Sequence, residues 1–511
     1  MAHRRYGRAL AAALILSNSI PNVEAANGWR VVTDLTLVET YNNNTGLAAA
    51  GAEQDDFITT VSPGLRIEAD TPRLRVSFDY RPSLLLYARN TQEDQLINQL
   101  GAFGALEVLE KFFFIEATGT ITQTYISPLG ARPSDLTTVT PNRTETQTYS
   151  LSPYVRGVFG LGYNYELRNR NIWTRTDTDA LGNVSSTYWN GRVMSPIRLF
   201  GWSLEGETSK IRQEDFTLQP DRESRLVRGR LFYQPDYAWR FFVSAGQEEN
   251  NYEVLREMKS SSIYGVGATW APSARTTAEA QYEERFFGPS RLARLQHRTR
   301  QTAWNISYSL GTSNFQEELL RLQPGSTAAL VDSIFASRIP DPVQRRAAVE
   351  QFFRATGTPS FLTGSLAFYT TQIMLEERLE ASAAIIGLRN SIAFTAFASD
   401  SERISEGLTG VVPDAFLLGE RIQQTGFGVN ASHRLGPFTS AGVSASRIYS
   451  RQAEPTPTFT TVNDSVTVSL NHSVSAKTTT FAGFGLTAVE DDFTNTTRKS
   501  QSAFVGLSHR F

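Results

Sequence analysis

Four histidines lie beyond residue 25 of this 511-residue chain: His297, His433, His472 and His509. None stands at an H-E-x-x-H or other metal-binding spacing. Ser432-His433 and His472-Ser473 set a nucleophile beside a base in sequence. Neighbouring residues of a strand point to opposite faces, so neither pair meets. There is no G-x-S-x-G elbow and no G-x-x-x-x-G-K-[ST] phosphate loop. A Ser–His–acid site assembled across strands is the one hydrolytic arrangement left open. Asp55-Asp56 and Asp491-Asp492 are paired carboxylates. Solvated rim charges suit them better than calcium, which takes about six or more oxygens. With no Cys, the chain has no disulfide, Cys-ligated zinc, iron–sulfur cluster or lipidated Cys. Lys+Arg 49 against Asp+Glu 51 leaves a net charge of -2, which argues against nucleic acid as a partner. The sequence therefore assigns no catalytic, metal or cofactor-binding residue and calls for no cofactor.

The elements that hold these residues alternate with period two. Over 73–89, Leu74, Val76, Phe78, Tyr80, Leu84, Leu86 and Ala88 share one face; Arg73, Arg75, Ser77, Asp79, Arg81, Ser83 and Arg89 share the other. The pattern returns at Trp239/Phe241/Val243, at Tyr264/Val266/Trp270, at Val466/Val468/Leu470 and at Phe484/Leu486/Ala488. One face suits lipid and the other water. Many segments reach the length of a membrane strand, about 9–11 residues, rather than the 5–6 or so of a globular one. Short turns such as 69–72, 234–237, 271–273, 435–437 and 475–477 alternate with long polar stretches at 42–55, 127–145, 175–187, 323–363, 403–419 and 452–462. That alternation predicts a transmembrane antiparallel up-and-down β-barrel over 26–511, with about 22 strands within a range of about 18–24. To keep the count even, 296–322 is split at Leu310-Gly311-Thr312. Tyr87, Trp173, Trp202, Trp239, Trp270, Phe286, Phe287 and Trp304 near segment ends fit interfacial girdles. The wet faces place Arg73, Arg75, Asp79, Arg81, Arg228, Arg230, Glu279, Glu283, Glu376, Arg378 and Glu380 on the expected lumen wall. There they either tune conduction or knit the wall through cross-strand pairs.

Residues 1–25 read as a secretory signal peptide: a basic start at His3, Arg4, Arg5 and Arg8, an apolar run from Ala9 to Leu16, and Val23 and Ala25 before the cleavage site. At the other end Phe511 shares a face with Val505 and Leu507. These three resemble the terminal signal read by the barrel-assembly machinery of Gram-negative bacteria, with His509 departing from the usual hydrophobic residue. The expected location is the outer membrane, with its lipid and that machinery as partners. The stretch 323–363 breaks the alternation. Asp341-Pro342 opens a helical pattern through Thr356, and 327–337 offers a second. A surface loop with local helix is one reading. A lid over the lumen, or a plug in it, is the other, because so many strands enclose a wide bore.

Leu366 to Phe397, LAFYTTQIMLEERLEASAAIIGLRNSIAFTAF, reads as strand, Gly387-Leu388-Arg389-Asn390 turn and strand. This stretch, with the strand repeat ending at Phe511, resembles the outer-membrane proteins associated with the PEP-CTERM/exosortase system of exopolysaccharide-producing Gram-negative bacteria. The resemblance implies a non-enzymatic barrel serving exopolysaccharide export or surface-protein display, with polysaccharide export components as partners. A diffusion porin and a barrel hydrolase acting on lipid or polysaccharide are the alternatives.

Overall fold

The computed structural model describes residues 28–177, 182–214, 221–252, 258–316, 331–336, 372–404, 421–453, 459–492 and 494–511, a few positions between 339 and 352, and the backbone of 24–25, 326–330 and 454. The ascending strands are β1 (Trp29–Asn42), β3 (Leu74–Tyr80 and Ser83–Tyr87), β5 (Phe113–Tyr125), β7 (Tyr163–Thr176), β9 (Phe200–Gln213), β11 (Trp239–Asn250), β13 (Thr276–Arg285), β15 (Thr302–Ser313), β17 (Asn390–Arg403), β19 (Thr439–Glu454) and β21 (Thr478–Asp491). The descending strands are β2 (Asp56–Asp70), β4 (Gln95–Ile97 and Leu100–Leu109), β6 (Arg143–Phe159), β8 (Val184–Met194), β10 (Arg222–Tyr233), β12 (Lys259–Ser273), β14 (Gly288–Arg298), β16 (Met374–Ile386), β18 (Arg421–Arg434), β20 (Thr460–Ser473) and β22 (Thr496–Arg510). Each pairs antiparallel with the next, and β22 returns to β1 with Asp34 opposite Arg510 and Asn42 opposite Ser502. The described residues thus form a closed wall of 22 strands.

Closure explains how such long strands survive in lipid: no edge is left with unpaired N–H and C=O groups. At the seam, the Phe511 N–H donates to the Thr33 carbonyl at 3.0 Å. Pro82 interrupts the ladder inside β3, because it brings no N–H. The register is the same on both sides of that break.

The expected count holds, but one boundary does not. Leu310-Gly311-Thr312 is no turn: Gly311 lies within β15, opposite Glu376. The reversal is at Thr299-Arg300-Gln301, where the Thr299 hydroxyl accepts the N–H groups of Gln301 and Thr302. A hydroxyl makes this turn without the Gly or Pro that signals one in sequence. Between β12 and β13 the turn is Ala274-Arg275, just past the expected 271–273.

Alternation sorts the wall as expected. Leu231, Val243, Val266, Phe427 and Phe484 are exposed on the outside. Trp29, Trp202, Trp239, Trp270 and Trp304 lie on that face near the short turns. Tyr87 departs from the girdle reading: it is buried inside, and its hydroxyl donates to the Thr137 carbonyl at 3.0 Å. The signal-peptide reading concerns residues that are not described, except that the backbone of Glu24–Ala25 pairs with the start of β1.

Candidate functional site: the lumen wall and two connections inside it

The inner wall from β5 to β13 carries linked charges. On β5–β7, Arg168 bridges Glu116 at 2.6 Å and Glu166 at 3.0 Å, and lies 3.8 Å over the Tyr154 ring. Arg192 on β8 reaches Glu205 on β9 at 3.4 Å. Glu205 also accepts from Arg228 at 2.9 Å and from Arg230 at 3.0 Å. Arg228 then crosses two strands to Glu283 on β13 at 2.7 Å, where the Ser244 hydroxyl also donates at 3.0 Å. Two glycines clear the way. A Cβ on Gly246 would lie 2.9 Å from the Arg228 Cα, and one on Gly265 would lie 2.5 Å from the Glu283 Cγ. Glu283 is only 2% exposed, so its charge depends on these partners.

Most of the lumen residues expected from sequence fall on the inner face by register. Arg66 and Asp79 pair at 2.7 Å, and Arg81 reaches Asp34 at 2.9 Å over Gly64. Arg75 faces Asp70 across β2 and β3, and Glu279 faces Arg294. Arg378 is buried between Glu376 at 2.6 Å and Glu380 at 3.7 Å. Arg73 is the exception: it sits in the short turn before β3, 3.7 Å from Glu110. Wall knitting therefore describes most of these groups at rest. The alternation also held the signal for Glu116, Arg168, Arg192 and Glu205, which the sequence reading passed over. It gave no hint of which partners they would choose.

The wall from β17 to β22 is different. Its inward positions are Ser, Thr, Asn, Gln, Gly and a few apolar residues, with charges only near strand ends. Phe rings cover facing glycines: Phe397 lies over Gly426, Phe504 over Gly483 and Phe481 over Gly506. The connection 126–142, between β5 and β6, folds inward onto this neutral wall. The Arg132 N–H donates to Asn463 Oδ1 at 2.9 Å, and Thr461 donates to the Leu129 carbonyl at 2.7 Å. Ser134 meets Thr487 at 3.1 Å, and the Asn42 amide meets Thr138 at 3.0 Å. Arg132 is buried, and desolvation pushes its guanidinium down to about 10.

The longest connection, 314–373, also enters. At the long-loop end Gln316 donates to Thr174 Oγ1 at 3.1 Å and to the Val184 carbonyl at 3.0 Å, far around the wall from β15. Helix α1 (Ser326–Phe335) then packs Val331 and Ile334 against Ala303, Ala384, Ile386 and Ala393. Those four are inward residues at the short-turn end of β15–β17. The chain returns through Gln372, which accepts from Arg222 at 3.1 Å, and Ile373, which packs with Val184 and Ile211. Helix α1 matches the expected 327–337 pattern, and its packing is inside the lumen rather than on a surface loop. Most of the expected 341–356 helix lies outside the described residues; Arg345, Ala348, Val349 and Phe352 among them are helical.

The histidines form no catalytic cluster. Each lies on the outer face at the short-turn end, with Ser432 and Ser473 turned the other way. No group of three or more His, Asp or Glu able to hold a metal occurs among the described residues. Asp56 departs from the solvated-rim reading: it is buried, accepting from the N–H of Phe57 and of Arg89 at 2.8 Å and from the Thr91 hydroxyl at 2.8 Å.

A closed wall with an apolar exterior and a polar, partly filled interior defines a transmembrane β-barrel. No family model and no curated protein matches the chain. Among solved structures it is similar to the siderophore receptor PirA from Pseudomonas aeruginosa, at 8% identity and a TM-score of 0.39, covering 96% of this chain and 81% of that one. It is similar to OccK2 (OpdF) from the same organism, at 8% identity and a TM-score of 0.35, covering 94% and 98%. It is also similar to a loop-deleted OmpT of Vibrio cholerae, at 7% identity and a TM-score of 0.31, covering 95% and 100%. The fold assignment rests on the closed strand register.

Proposed function

We propose that the protein is a non-enzymatic outer-membrane barrel that passes small polar or charged solutes through a narrowed, mixed-charge lumen. One observation carries this reading: two connections are anchored inside the bore. The 126–142 segment lies on the neutral wall and helix α1 blocks part of the short-turn mouth. The water path left over borders the linked arginines and glutamates of β5–β13. Paired charges of both signs fit a solute that itself carries both signs, or a small ion, better than a wide polymer. Long connections at one end and short turns at the other fit an outer-membrane orientation, with the short turns in the periplasm.

Planar-bilayer recording tests the reading. The full protein should give small, discrete conductance steps, and deleting 326–358 should enlarge them several-fold. Equal conductance in both forms would reject a lumen narrowed by this connection. The link to exopolysaccharide or PEP-CTERM surface display stands on the sequence resemblance alone. Its test is genetic: loss of the gene should alter surface polysaccharide or surface protein.

A further inference from the structure

All four histidines beyond residue 25 occupy one structural position. Each is the last outward-facing residue of a descending strand, opposite the first residue of the strand before it: His297 faces Thr276, His433 faces Asn390, His472 faces Thr439 and His509 faces Thr478. Each ring is held in the same way. Nδ1 lies 2.9 Å from the hydroxyl of Thr276, Thr439 or Thr478, and 2.5 Å from Asn390 Oδ1 in His433. With Nδ1 engaged, the hydrogen-bonding group that remains is Nε2. Where the Thr hydroxyl donates to Nδ1, as it can at His297, His472 and His509, Nε2 carries the proton and is a donor; at His433 the Asn390 oxygen takes the Nδ1–H, which leaves Nε2 of the neutral ring an acceptor.

The belt is confined to β14–β22. At the same level Trp202, Trp239 and Trp270 lie on the outer face of β9–β12, Trp304 stands beside His297 on β15, and Trp29 begins β1. The two halves also differ in their turns. The five short turns between β12 and β21 contain Arg275, Arg300, Arg389 and Lys477 and no Asp or Glu. The short turns before them mix Arg73, Lys111 and Arg198 with Glu110 and Asp236. Thus the fixed imidazoles coincide with the rim that is purely cationic.

We propose that this half of the rim is a headgroup-binding belt: the Nε2–H of His297, His472 and His509 donates to a phosphate oxygen of an anionic phospholipid in the adjoining leaflet, and the turn cations supply the attracting charge. From β9 to β12 the rim has tryptophan and no histidine, and the amphipathic ring anchors it without selecting a headgroup. Charge-assisted hydrogen bonds to phosphate are the stronger kind, and cations held in the turns provide that assistance. The proposal rests on the reading of the barrel as membrane-spanning. Insertion into vesicles, with heat-shifted gel mobility, tests that reading separately.

The test uses the full-length protein in dodecyl maltoside, loaded with phosphatidylglycerol, delipidated stepwise and followed by native mass spectrometry. The wild type should retain phosphatidylglycerol that the H297F/H472F/H509F variant loses several-fold sooner. Phe keeps an interfacial ring at each position and removes only the nitrogens. An R275Q/R300Q/R389Q/K477Q variant, altered only in turns, should lose lipid to a similar degree. It keeps the test open if the first variant fails to fold. Equal retention by wild type and either folded variant overturns the belt. So does a melting shift with inorganic phosphate alone as large as that with phosphatidylglycerol, since the site would then be one for the free ion.

Discussion

The two halves of the inner wall solve one problem in opposite ways. From β5 to β13 the wall carries full charges and neutralises them across strands: Glu205 serves Arg192, Arg228 and Arg230, and Glu283 anchors the far end. From β17 to β22 the wall carries hydroxyls, amides and glycine, and takes its partners from elsewhere in the chain. Thr461, Asn463, Thr487 and Ser500 all bind the 126–142 region. A neutral hydroxyl surface can be covered by a loop at small desolvation cost, whereas covering an arginine ladder would cost several kcal/mol per ion. The 126–142 segment therefore lies on the neutral half, while the 314–373 connection touches β7–β10 at their long-loop ends, at Thr174, Val184 and Arg222, and not at the Glu205–Arg228–Glu283 ladder among the described residues. Selectivity should follow from that ladder.

Substitutions on the two walls should then have unequal effects. Glu283→Ala removes one of the two carboxylates on Arg228 and leaves Glu205 alone to serve Arg192, Arg228 and Arg230; it should cost about 3 kcal/mol, the scale of a broken buried ion pair. It should lower the temperature at which the barrel loses its compact gel mobility. Ser465 on the neutral wall meets Ser446 at 2.7 Å, and Ser465→Ala should cost about 1 kcal/mol or less. Equal costs would break the contrast. Next in size is selectivity. R228Q/R230Q removes two positive charges beside the proposed path, and should shift the reversal potential in a salt gradient toward cation preference. S444Q on β19 should leave it unchanged.

The contrast also shows what could be read before folding. Strand parity was legible, since the lipid face leaves residues such as Val243, Val266 and Phe484 no other place. Parity then put Arg228, Glu283 and Arg378 inside. Three kinds of fact were not legible. The Thr299-Arg300-Gln301 reversal hides behind ordinary polar residues, while Gly311 imitates a turn inside β15. Tyr87 looked like a girdle aromatic because a ring near a strand end suits the interface on either side of the wall. The inward course of 126–142 rests on single hydrogen bonds to strands far away in sequence, and a polar loop reads the same whether it faces solvent or hydroxyls. Helix α1 was legible as a helix. Its place at the short-turn mouth depends on small residues, Ala303, Ala384 and Ala393, that make room for Val331 and Ile334.

If the neutral wall acts as a bed for the loop, loosening that bed should act on the loop and not on the barrel. Asn463→Ala removes the acceptor for the Arg132 N–H, and Thr487→Val removes the Ser134 partner. Each should cost about 1 kcal/mol of loop anchoring. The expected readout is an increase in open-channel noise, with the unfolding temperature of the wall almost unchanged. An equal loss of barrel stability would mean that these side chains hold the wall itself.

The smallest effect belongs to the long-loop rim. Asp221, just before β10, is held below the usual carboxylate range, first by its hydrogen bond from Arg212 and then by Lys210 at 2.9 Å. Because its folded value is depressed, its contribution is present above the unfolded value of about 3.9 and fades as pH falls through the folded one. The groups are largely exposed, so solvent screens most of the gain. Acidification below about pH 4 should free the β9–β10 rim to faster hydrogen exchange. Asp221→Asn should show that faster exchange already at neutral pH, and should lose its dependence on acid. Acid-dependent exchange that persists unchanged in Asp221→Asn would show that the Arg212–Asp221–Lys210 cluster does not hold this rim, and that the strand ends there are fixed by the backbone ladder alone.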